Sequence, residues 1–178
     1  MHHLKKMLLL INILGGLAVL GSYVWGFLTY PNAVEILWGG VPPGLRPFYT
    51  ISMFLAAGGY FAFSSYILRM DPLETKVFGQ SSFEVLNAIY ALILIPSALW
   101  MPLTVFATQH SSLAGLWLVR LDLVVVAVAS LVLLFALFNI QPRPTVWMHR
   151  LAVLGCMAFC IQTVILDAII WLVYFHLY

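Results

Sequence analysis

Residues 113–139 read LAGLWLVRLDLVVVAVASLVLLFALFN. An α-helix rises about 1.5 Å per residue, so this stretch is long enough for the ~30 Å hydrocarbon core of a bilayer. Arg120 and Asp122 are its only charged residues, and both fall near its start. The stretch predicts a transmembrane helix. Four more apolar runs pass the same length test, at residues 7–29, 47–69, 83–107 and 148–176. Composition agrees, with 63% hydrophobic and 8% charged residues and a mean hydropathy of +1.04. A soluble domain of 178 residues could not cover itself with so few charges. The expected fold is an all-α integral membrane protein, a five-transmembrane-helix bundle with short loops and a single domain over residues 1–178. The first run follows Lys5-Lys6 and resembles a signal peptide. It continues through Tyr23-Val24-Trp25-Gly26-Phe27-Leu28, too long for a signal h-region, and reads as helix one.

Charge sets the expected orientation. Lys5, Lys6, Arg69, Lys76, Arg143 and Arg150 fall on the N-terminal side of the membrane, and only Arg46 clearly falls on the other. The positive-inside rule then predicts a multi-pass protein with a cytoplasmic N-terminus and its C-terminus on the opposite side. The basic residues are scattered along helix ends, so the net charge of +2 does not point to nucleic acid. Lipids are the expected surroundings, with a homodimer or a membrane-complex partner left open.

Most polar residues outside the spans have local explanations. Ser81-Ser82-Phe83-Glu84 reads as a capping box. Asp71-Pro72-Leu73-Glu74 predicts a short helix on the inner surface. Asn32-Ala33-Val34-Glu35 predicts another in the outer loop, ended by Gly39-Gly40. Glu35, Glu74 and Glu84 are read as capping residues. The rest of that loop holds Pro42, Pro43 and Pro47, which restrict it, so residues 30–46 are a candidate lid. Ala18, Ser22 and Gly26 in helix one, and Ala56 to Gly59 in helix two, suit close packing, with room for a flat ligand as the rival.

Inside the spans the polar residues are few. A carboxylate at the centre of a spanning helix costs about 2.5–3.5 kcal/mol, so it usually has a partner or a wet cavity. Cys156, Cys160, Thr163, Asp167 and Trp171 share one face of the last helix, opposite Leu154, Ala158, Ile161, Ile165 and Ile169. Asp167 is therefore expected to face the bundle interior. Counted from the outer helix ends, Asp167 and Arg120 both lie about 10 Å deep, which predicts an Arg120–Asp167 bridge. Asp122 is about 200° around the helix from Arg120 and is not expected to share it equally. A structural or interfacial role for Arg120 and Asp122 stays open beside a ligand-facing one. Trp25, Trp38, Trp100, Trp117 and Trp171 favour the outer half. An aromatic belt explains Trp117 and Trp171, while Trp25, Trp38 and Trp100 can wall an apolar pocket. Cys156 and Cys160 read as small packing residues. His2, His3, His110, His149 and His176 read as surface residues at or beyond helix ends. Neither a metal site nor a catalytic signature stands out.

The order of features resembles the TspO/translocator protein (tryptophan-rich sensory protein) family. The residues carrying the likeness are Trp38-Gly-Gly-Val-Pro42-Pro43-Gly44 leading to Phe48-Tyr49-Thr50, then Leu86-Asn87-Ala88-Ile89-Tyr90, then Arg150-Leu151-Ala152. Tyr49 and Tyr90 stand where the family has tryptophans, and Ala158-Phe159, Gln162 and Ile170 also depart from its pattern. The resemblance implies an intramembrane pocket under the first loop that binds or translocates a flat lipophile. A porphyrin, haem or other tetrapyrrole, or a sterol, would be the ligand rather than a catalytic cofactor. Tyr49, Asn87 and Tyr90 carry over as pocket residues, with Trp38, Pro42, Pro43, Thr50, Trp100 and Asp167 around them. Two alternatives remain. One is a sterol-isomerase-like enzyme using Asp122 and Asp167; the other is a non-catalytic subunit of a larger membrane complex.

Overall fold

A computed structural model describes residues 3–81 and 83–176. Helix α1 spans His3–Thr29, α2 Ala33–Trp38, α3 Arg46–Arg69, α4 Phe83–His110, α5 Leu113–Asn139 and α6 Val146–Cys160. The last continues unbroken as a π-helix, Ile161–Trp171, and one final α-turn, α7, Leu172–Tyr174. A small antiparallel hairpin, β1 Lys76–Val77 and β2 Gln80–Ser81, joins α3 to α4. Five helices are long and apolar enough to cross a membrane: α1, α3, α4, α5 and the continuous Val146–Tyr174 rod. Their outward faces expose Leu17, Leu28, Phe54, Phe61, Leu121, Phe135 and Leu154. Water would not tolerate so large an apolar surface, and the chain is an integral, multi-pass membrane protein.

Helix α4 lies between α1 and α5, and α3 runs along α6. The two groups are joined where α5 packs on α6 and the π-helix. Small residues set the tightest crossing. A Cβ added to Gly155 would fall 2.8 Å from the Gly59 Cα, so the α3 and α6 backbones touch directly. Gly26 is likewise packed against Met101. Ala18, Ala57 and Gly58 face outward and take no part in close packing. Pro96 and Pro102 sit inside α4, where each removes one backbone hydrogen bond. Ser97 and Thr104 donate to the carbonyls of Ile93 and Trp100 in the same stretch.

The half on the side of the N-terminus, called inner here, is the better sealed. Phe63, Ile67, Leu86, Tyr90, Leu133 and Leu137 are fully buried there. Tyr60, Phe63, Tyr90 and Phe159 meet edge to face or tilted, with centroids 5.3–6.2 Å apart. Ser64 and Tyr90 hydroxyls bond at 2.9 Å, and Tyr60 donates to Asn12 Oδ1 at 2.6 Å. Cys156 and Cys160 are free and buried, as packing residues should be, and Cys160 Sγ reaches the Ser130 carbonyl at 3.4 Å.

Several local expectations fail for identifiable reasons. The hairpin departs from an all-α chain. The stretch Asp71-Pro72-Leu73-Glu74 is a turn and not a helix. Asp71 Oδ1 accepts from the Leu73 amide at 2.9 Å, an Asx-turn that competes with helix formation. Lys76 then pairs with Gln141 through amide–carbonyl bonds of 2.7 and 3.0 Å, tying the two inner loops together. Asn32 makes no side-chain cap at α2, and Glu35 forms an ion pair with Arg46 at 3.2 Å instead of capping. Gly39 does end α2, at a φ of 56°, where a Cβ would meet the Trp171 indole at 2.8 Å. His149 is a buried residue of α6, not a surface one. Its Nε2 lies 2.8 Å from the Leu137 carbonyl, and its ring packs on Tyr66. Within the expected capping box Ser81-Ser82-Phe83-Glu84, Ser82 lies outside the described residues, as does His2.

Candidate functional site

The π-helix decides what Asp167 can touch. In an α-helix, residues five apart point about 140° away from each other. Backbone bonding from i to i+5 widens the turn and brings them toward the same side. Gln162 Nε2 therefore donates to Asp167 Oδ1 at 2.8 Å. Two turns of the same face are anchored by neighbours: Thr163 bonds Ser130 of α5 at 2.8 Å, and Trp171 Nε1 donates to the Leu37 carbonyl at 2.8 Å. Asp167 is only partly buried, and no cation lies within 4.0 Å of it.

Aromatic rings cluster on the outer side. Trp100 of α4 meets Tyr23 of α1 at 6.0 Å and Trp171 at 5.6 Å. Trp38 meets Tyr49 of α3 edge-on at 6.2 Å. The Tyr49 hydroxyl donates to the Leu166 carbonyl at 2.7 Å, beside Asp167 in sequence. Both Tyr23 and Tyr49 are near enough to interact electrostatically with Asp167. The first loop roofs the cluster: Val41 is buried with Tyr49 and Trp171. Arg46 holds the loop shut through Glu35, the Val41 carbonyl at 3.2 Å and the Trp38 ring at 5.2 Å.

The predicted Arg120–Asp167 bridge does not form, and the stagger of the helices explains why. The Ser130–Thr163 bond fixes the register of α5 against the last rod. Because the two run antiparallel, Asp167 lies level with about residue 126, and Arg120 sits roughly 9 Å further out. The outer end of α5 projects past the end of the rod, so equal counting from the ends misjudges depth. Arg120 instead lies over the Trp117 ring at 5.0 Å. Asp122 is 8% exposed with its Oδ2 unpartnered. Among the described residues the ion pair within 4.0 Å is Arg46–Glu35, and neither aspartate has a cation. Gln162 Oε1, Trp100 Nε1 and Arg120 Nε are also buried without partners.

Other predicted residues lie elsewhere. Tyr90 is 0% exposed and spent on Ser64, and Asn87 Nδ2 donates to the Leu4 carbonyl at 3.3 Å. Both belong to the inner core, at the opposite end of the bundle from Tyr49. Thr50 is exposed and bonds the Arg46 carbonyl of its own helix at 2.9 Å. Pro42 and Pro43 shape the loop: their carbonyls accept from Leu45 at 2.9 Å and Arg46 at 3.3 Å. Trp25 is exposed against Tyr30 rather than in the cluster. Sequence reading missed Tyr23 and the Gln162–Asp167 contact. A phenol one and a half turns from the outer end of α1 was visible in principle, but the contact was hidden by assuming α-helical phase.

Comparison of the chain with protein-family models, with curated proteins and with solved structures gives no match. The site is therefore read from its own geometry.

Proposed function

We propose that this protein binds, and passes across or along the membrane, a flat lipophilic ligand of porphyrin or sterol type. The ligand occupies the outer half of the bundle, under the loop that precedes α3. The observation that supports this reading is Asp167, an intramembrane acid with no cation within 4.0 Å, next to the Leu166 carbonyl that accepts from Tyr49. Flat rings stack well on such walls, and few, fixed polar groups orient a ligand in an otherwise apolar pocket. The TspO-like order of the loop and of Tyr49 fits this location, whereas Asn87 and Tyr90 do not contribute to it. The positive-inside bias orients the N-terminus toward the cytoplasm and the loop toward the opposite side. The chain acts by binding rather than by covalent chemistry.

The two cation-free aspartates favour one second reading, an enzyme that uses Asp122 and Asp167 on a sterol-like substrate. The two readings separate on turnover. Protoporphyrin and cholesterol are titrated into the purified chain in mild detergent, with tryptophan fluorescence as the readout. Saturable quenching with unaltered ligand recovered afterwards supports the binder. Ligand converted to product, with conversion lost in Asp122→Asn, supports the enzyme. No saturable signal from either ligand leaves the non-catalytic subunit.

A further inference from the structure

We propose that the inner end of the bundle holds the headgroup of a zwitterionic phospholipid, a phosphoethanolamine whose phosphate meets Arg69 and whose ammonium meets Asp71 and Glu74. The site is separate from the outer half and does not rest on the ligand proposed there. A cavity of about 200 Å³ opens where the turn after α3 faces the loop between α5 and α6, lined by Arg69, Asp71, Glu74, Thr75, Pro142 and Pro144. Its frame is fixed by backbone bonds. Lys76 and Gln141 join the two loops at 2.7 and 3.0 Å, and the Thr75 amide donates to the Asp71 carbonyl at 2.9 Å. Three charged side chains border the cavity, and among the described residues none of them has an ion-pair partner within 4.0 Å. Arg69 Nη1 donates to the Met148 thioether at 3.3 Å, a weak acceptor for a guanidinium. Arg143, set between the two prolines, turns away to the carbonyls of Ile140 and Phe138. Neither a simple anion nor a simple cation suits one arginine beside two carboxylates, whereas a short zwitterion answers both signs at once. The ammonium is primary, because it then donates N–H bonds to the carboxylates. A quaternary choline donates none and is held by aromatic rings, which do not line this cavity. Position makes the source a lipid. Arg69 ends a helix long and apolar enough to span the membrane. Leu73, between the two acids in sequence, and Trp147, next to Met148, are exposed apolar side chains of the kind that enter the membrane interface.

The test is lipid binding to the full chain in mild detergent, read by native mass spectrometry. The probes are phosphatidylethanolamine, phosphatidylcholine and phosphatidylglycerol with the same dioleoyl tails. The expected result is a site that prefers the ethanolamine lipid over the other two by about threefold to tenfold, as partly exposed charge pairs allow. Arg69→Gln and Glu74→Gln should each bring the preference close to one. Asp71→Asn, which keeps an acceptor for the Leu73 amide, should reduce it with the turn intact. Arg150→Gln, at the same end of the bundle but outside the lining, should leave it unchanged. Equal affinity for the three lipids, a preference that survives Arg69→Gln and Glu74→Gln, or one lost as fully in Arg150→Gln overturns the proposal. Phosphatidylglycerol bound as well as the ethanolamine lipid, with loss in Arg69→Gln alone, overturns it in favour of a plain anion site. Glycerophosphoethanolamine, the same headgroup without tails, should compete about hundredfold more weakly or worse. Equal potency would give the cavity to a free zwitterion and overturn the lipid assignment.

Discussion

The inner and outer halves of this bundle are built from similar residues and end differently. In the inner half, Tyr60, Ser64, Tyr90, Asn12 and His149 find partners within 2.6–2.9 Å, and Tyr66 Oη and Asn87 Oδ1 are left over. In the outer half, two aspartates, an arginine nitrogen and an indole nitrogen have no ionic partner or no hydrogen bond. Both halves are rich in aromatic rings. The inner rings interlock on one another, and the outer rings meet in the same way close to Leu166 and Asp167. Packing density alone would make either half a stable core. Both halves leave buried polar atoms unanswered, but the charged side chains among them, Arg120 and Asp122, lie in the outer half, and that imbalance is what marks it as a site.

The largest expected effect sharpens the claim that the helices α3 and α6 meet backbone to backbone. Gly59→Val forces a branched side chain into the Gly155 backbone and should destabilise by about 3 kcal/mol or more. Thermal unfolding in detergent reads it directly, and an unchanged midpoint would mean that the crossing is looser than described. Next is the inner core. Tyr90→Phe strands the buried Ser64 hydroxyl and should cost about 1–2 kcal/mol with ligand affinity unchanged. In the outer half the sign reverses. Asp167→Asn breaks no ion pair, so stability should hold or rise, where breaking a buried ion pair would cost about 3–5 kcal/mol. Asp167→Asn and Arg120→Gln should then add within about 0.5 kcal/mol, and coupling beyond that would restore the bridge. Smallest is Glu35→Gln in the loop, about 0–1 kcal/mol, because the Glu35–Arg46 pair is exposed. Orientation is checked separately: a cysteine in place of Trp38 should label from outside the cell, and one in place of Lys76 from the cytoplasm.

Much of the fold was legible because length and apolar composition dictate it. The run 113–139 matches α5 residue for residue, and the other spans differ by a few residues at their ends. The inward stripe of Cys156, Cys160 and Thr163 was legible from their spacing of four and then three residues, which keeps them on one helical face. What the sequence hid was relative depth and phase. Arg120 and Asp167 lie seven residues from their respective helix ends, but the ends are not level, because Ser130 and Thr163 set the stagger. Gln162 and Asp167 meet only because the helix loosens to π geometry, and no residue type announces that change. The turn at Asp71 was misread because an Asx side chain serves a helix start and a turn with the same atoms.

The outer half as binding site is the central claim, and one comparison tests it most directly. Binding of a flat lipophile that quenches tryptophan fluorescence is titrated in Trp100→Leu and Tyr49→Ala, and in Tyr90→Phe from the inner core. The account predicts that the first two weaken binding about tenfold or more while the third binds like the unaltered protein. Full affinity in Trp100→Leu and Tyr49→Ala, with loss in Tyr90→Phe, would contradict it and move the site to the inner half.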